Sequence, residues 1–186
     1  MNRPLLALLA ACSAVSGAAA EGAALSLQPP APAAAVTQGS PELVDGYLKL
    51  GFDRLSAFAF TPPTFDPAAD PKATPPTGEE QIPAEVKGWS GRKAVVTGFM
   101  LPVRMENGLV TEFLLLKSPM MCCYGTVPNM NEWVIVKMPK GVKVLMDVPI
   151  SFYGRLKVGA TFESGYMTGI YQLEGEKMGP TPAASS

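Results

Sequence analysis

Lys93-Ala94-Val95-Val96-Thr97-Gly98-Phe99-Met100-Leu101-Pro102-Val103, followed by Asn107-Gly108 and by Leu109-Val110-Thr111-Glu112-Phe113-Leu114-Leu115-Leu116, decides the fold class. Both apolar runs are rich in the β-branched and aromatic residues that suit a pleated, half-buried surface. Asn-Gly between them is the pair that accepts positive φ at both central positions of a two-residue hairpin turn. The stretch therefore predicts two long antiparallel strands. Gly98, inside the first, sits where a β-bulge is expected.

Working outward, Glu132 to Met138 reads as a third strand, with Pro139-Lys140-Gly141 expected to turn the chain. Val148 to Val158 and Thr168 to Leu173 complete the set. Short strands with turn signals and no strong helical period predict an all-β protein. The long loop between the second and third strands, with the bends offered by Gly154 and Gly159, points to a small OB-like barrel over residues 82–178. About 95 residues suffice for one core.

N-terminal to that barrel, residues 21–81 read as an Ala/Pro-rich tether with a short apolar docking segment at 43–60. Residues 61–83 hold seven prolines, a linker composition. Residues 179–186 read as a disordered tail. The expectation is thus a small OB-like barrel on a proline-rich N-terminal tether.

Residues 1–20 have the form of a signal peptide. Arg3 gives a positive start, Leu5 to Val15 are mostly apolar, and Ala18-Ala19-Ala20 offers a cleavage site before Glu21. The apolar run is too short to span a membrane. Leu9-Ala10-Ala11-Cys12 also has the form of a lipobox, so two fates stand: a periplasmic or secreted protein, or a lipoprotein anchored to the membrane through Cys12. The full chain has 15 basic and 16 acidic side chains and a formal charge of −1. Residues 91–186 carry 10 basic against 7 acidic groups, too slight an excess for the dense basic face that nucleic acid requires.

The chemistry concentrates in Met120-Met121-Cys122-Cys123-Tyr124, in a chain with no histidine. After cleavage at Ala20, Cys122 and Cys123 are the remaining cysteines. Adjacent Cα atoms lie ~3.8 Å apart across a trans peptide, below the lower limit of about 4.4 Å for an ordinary disulfide. Two thiols and nearby thioethers are soft ligands suited to Cu(I). Cys122, Cys123, Met120, Met121 and Met130 are the candidate donors for such a metal. Zinc wants four ligands and needs a dimer that pools cysteines. The competing reading makes the methionines and thiols core filling. Tyr124 and Trp133 are then candidate aromatics of a surface for an envelope partner, against a simpler reading of Trp133 as a barrel-rim residue.

Catalysis has little to work with. Without histidine there is no Ser or Cys triad. No glycine-rich phosphate loop is present. A thiol oxidoreductase, the third reading, normally shows Cys-x-x-Cys at a helix start, which this loop lacks. The expectation is a noncatalytic binding or accessory protein.

Thr97-Gly98-Phe99-Met100-Leu101-Pro102 and Val110-Thr111-Glu112-Phe113-Leu114-Leu115 together resemble an exported bacterial family, domain of unknown function 3299. Cys122-Cys123-Tyr124-Gly125, Pro128-Asn129-Met130-Asn131-Glu132-Trp133 and the Gly154 strand extend the resemblance across residues 82–178, and Gly51-Phe52-Asp53-Arg54-Leu55-Ser56 adds to it. The resemblance implies a fold and an exported location. Other branches of the family carry Cys-x-His in this loop, which implies a metal or redox site. Here the loop reads Cys-Cys-Tyr-Gly, so the histidine chemistry does not carry over.

Overall fold

Among the described residues seven strands form one sheet, and five of them close on themselves. The computed structural model describes residues 39–69, 72–121 and 127–179. The expected signal peptide, the lipobox at Cys12, residues 21–38 of the expected tether and the tail from 180 onward lie outside them. Among the described residues no helix is long and apolar enough to cross a membrane.

The chain runs β1 (Leu43–Val44), β2 (Tyr47–Leu50), a single helical turn α1 (Phe52–Leu55), a second one α2 (Ala84–Lys87), then β3 (Lys93–Glu106), β4 (Leu109–Leu116), β5 (Trp133–Val142), β6 (Pro149–Glu163) and β7 (Tyr166–Met178). Strand order β3-β4-β5-β7-β6 returns to β3 through the β3–β6 pairing, which closes a five-stranded barrel. β5 and β7 run parallel while the other barrel neighbours are antiparallel. This is the OB-like arrangement expected from the strand pattern. Asn107 and Gly108 take φ of 51° and 78° and make the predicted turn.

Two local expectations are corrected. Gly98 is not at a bulge, because β3 pairs with β6 in regular register there, Gly98 opposite Ile150. Its value is closeness: a Cβ at this position would lie 2.6 Å from the Leu116 carbonyl oxygen and 3.0 Å from Phe52. Pro139-Lys140-Gly141 does not turn the chain. β5 continues to Val142, opposite Val110, and the extra residues are absorbed as a register irregularity between Glu112–Lys137 and Val110–Val142. Gly141, at φ 64°, supplies the conformation that this irregularity needs.

The 43–60 segment contributes to the same core as the barrel. Leu48, Leu50, Phe52, Leu55 and Phe60 pack in one cluster with Phe113, Phe152, Ile170 and Leu173. β2 pairs in parallel with Ala94–Val96 of β3, just before the stretch from Phe99 that pairs with β4. It thereby covers backbone groups that an open edge would expose. On the outside, the Tyr47 hydroxyl donates to Glu176 on β7 (2.6 Å), and the Lys93 and Lys177 ammoniums each stand 5.3 Å from its ring centre.

The described residues between 61 and 78 contain no strand, in keeping with their prolines. The stretch is nonetheless fastened. Thr61 and Gln81 exchange two 2.9 Å hydrogen bonds, and Ile82 enters the core. Beyond Arg155, where β6 leaves β3, its edge is satisfied by the chain before β3. Leu156 exchanges backbone bonds with Gly91 and Arg92, the Val158 N–H donates to Ser90 Oγ (3.0 Å), and the Ala160 N–H donates to Glu79 (3.1 Å).

Candidate functional site

Two places on the barrel display chemistry. The first is the loop between β4 and β5, whose strands end level at Leu116 opposite Trp133. Its two ends are tied by the Lys117 N–H donating to the Glu132 carbonyl (3.0 Å) and by the Lys117 ammonium on the Glu132 carboxylate (2.9 Å). The other Glu132 oxygen accepts from the Asn129 N–H (3.1 Å). Hydrogen bonding to Lys117, with help from the Asn129 amide, holds the Glu132 carboxyl below the usual carboxylate range against the opposing effect of partial burial.

Asn131 is buried, 2% exposed, and its amide donates to the Phe58 carbonyl (2.5 Å). The N-terminal segment therefore grips the loop base. The Trp133 indole N–H donates to the Thr168 carbonyl (3.1 Å), which fixes this ring as part of the wall between β5 and β7.

Of the predicted donors, Met120 is exposed on a turn at the start of the loop, while Met130 packs against the core cluster. Met121 closes the same turn as Met120. Cys122, Cys123 and Tyr124 lie outside the described residues. Among the described residues no three His, Cys, Asp or Glu side chains gather as a metal site.

The second place was not singled out in the sequence. A cleft of about 410 Å³ opens on the outer face of β4 and β5, lined among others by Leu114, Ile135, Lys137, Glu112, Val103 and Phe162. Its size falls within the range of ligand pockets, about 300–1,000 Å³. Alternation along the strands makes this face: Phe113 and Leu115 point into the core, as do Val134 and Val136, so Leu114 and Ile135 point out. They are cross-strand partners, as are Glu112 and Lys137. Arg104 stands 3.8 Å from Glu112 at the rim. The signal that points to the cleft is an apolar pair on two facing strands at outward positions, next to the Glu112–Lys137 pair. Recognising it requires the register.

Compared with known families, residues 68–180 match the one described as a protein of unknown function, DUF3299. No curated protein matches the chain. Among solved structures, the chain is similar to the crystal structure of a DUF3299 family protein from Pseudomonas aeruginosa PAO1, at 27% identity and a TM-score of 0.49, over 75% of this chain and 95% of that one.

Proposed function

We propose that this chain, which belongs to the DUF3299 family, is an exported, noncatalytic binding protein of the bacterial envelope that holds a soft metal ion, Cu(I) foremost, on its cysteine loop. The observation that carries the reading is the pinned base of that loop. Lys117 and Glu132 hold its two ends together, and Asn131 anchors the Glu132 end to the Phe58 carbonyl of the N-terminal segment. Adjacent thiols can converge on one ion from a turn, whereas a regular strand would send neighbouring side chains to opposite faces. Two thiolates with Met120 or Met121 make a two- or three-coordinate soft set of the kind Cu(I) accepts. Met130, packed on the core, is the weaker of the candidate donors. Zinc is accommodated only where two chains pool their thiolates.

Export is supported by the signal-peptide form of the sequence of residues 1–20, and a chain without histidine has no Ser–His or Cys–His triad to offer. A second reading, an interaction module for an envelope partner, is favoured by the cleft on the β4–β5 face.

The test is metal and free-thiol content of the mature protein purified anaerobically, followed by Cu(I) titration against a competing chelator. One copper per chain, lost in the Cys122→Ser/Cys123→Ser variant, supports the proposal. No stoichiometric uptake in the unmodified protein overturns it, as does uptake that survives the double substitution.

A further inference from the structure

We propose that the cleft on the outer β4–β5 face docks an extended peptide of a partner protein, one that presents an apolar side chain next to an acidic one. The floor is apolar: Leu114 and Ile135 sit side by side in register, with Val103 and Phe162 as walls. Val103 is 59% exposed and Met105, on the same hairpin arm, 53%. They extend the apolar surface beside a cleft that combines an apolar floor with charged walls.

The charges choose the occupant. Glu112 is taken up by Arg104, while Lys137, its partner across the strands, has no ion pair among the described residues. An acidic side chain of the ligand completes that position. At the other wall, Glu163 on the β6–β7 hairpin also lines the cleft. Lining charges of both signs oppose a polyphosphate backbone, which wants one sign along its whole track. Phe162 is the one aromatic ring among the lining residues, so successive bases have no platform on which to stack. A peptide fits the pattern instead, with its apolar anchor buried at the centre and its charges at the rim. This inference does not depend on the metal reading, and replacing Cys122 and Cys123 by serine is expected to leave it intact.

The experiment pans a phage-displayed library of random linear dodecapeptides against the full mature chain, then measures the selected peptides in solution. Expected are sequences that pair an apolar with an acidic residue and that bind Leu114→Glu about tenfold or more weakly, since each 1.4 kcal/mol of lost apolar burial is tenfold in affinity. Val103→Glu, at an exposed wall position, gives the same loss and serves should Leu114→Glu fail to fold. Lys137→Glu shifts selection from acidic to basic residues. Leu43→Glu, exposed on β1 and not among the cleft residues, changes nothing. The proposal is overturned if no peptide is enriched, if Leu114→Glu and Val103→Glu bind as the parent does, or if dT12 or chitohexaose occupies the cleft in place of the peptides.

Discussion

Leu55→Ala tests whether the N-terminal segment is part of the barrel's core or an appendage resting on it. Leu55 sits on α1, far in sequence from the barrel strands, yet is fully buried in the same cluster as Phe113, Phe152 and Leu173. Its carbonyl also accepts the buried Tyr171 hydroxyl (2.8 Å). Burial pushes that phenol far above its usual ionisation range, so it remains a neutral donor. Truncation to alanine removes three carbons from a site that close packing prevents from collapsing fully. Transfer at about 0.8 kcal/mol per carbon gives roughly 2.4 kcal/mol, and the residual cavity brings the cost to about 3–4 kcal/mol. For a domain of this size each kcal/mol lowers Tm by about 3–4 °C, so a fall of roughly 10–15 °C is expected. Calorimetry on the mature chain should show one transition at the lower temperature. Two resolved transitions, or a Tm within about 2 °C of the parent, would refute the reasoning, because the segment would then unfold independently of the barrel.

Gly98→Ala should cost about 1–3 kcal/mol, as overpacking does, since its Cβ meets backbone and ring atoms that the sheet holds in place; urea unfolding measures it, and an unchanged midpoint would contradict the packing. Glu132→Gln tests the loop base through pH. The folded-state value of Glu132 is depressed below the ordinary 4.5, so its contribution is complete above that pH and lost as pH falls through the lowered value. The carboxylate is partly buried and its partner Lys117 is exposed, so the variant should lie within about 1 kcal/mol of the parent at neutral pH. Thermal melts from pH 7 down to about pH 3 should show that gap closing; a gap that widens on acidification contradicts the assigned sign.

Several elements were legible from local chemistry. Asn107-Gly108 announced its turn because few other pairs accept positive φ twice. Leu109–Leu116 was bounded correctly because its alternation begins at that turn and stops at Lys117. Pro139-Lys140-Gly141 misled for the opposite reason. Its turn propensity is real, but the pairing of Val142 with Val110 outweighs it and the surplus residues become an irregularity in the ladder. Met130 packs against the core cluster and the Trp133 indole bonds the Thr168 carbonyl, contacts with residues distant in sequence that local pattern does not reveal.

What the sequence determined by itself is the five barrel strands, the hairpin and the concentration of soft donors between β4 and β5. Each follows from side-chain period, backbone preference or ligand chemistry over a few neighbouring residues. Tertiary structure alone decided the β3–β6 closure, the parallel β5–β7 pairing, the burial of Leu55 against strands far along the chain, and the outward meeting of Leu114 with Ile135. These depend on which strand lies beside which and in what register. Register is set by the simultaneous burial of many distant side chains, and a shift of one residue would carry Leu114 from the cleft into the core.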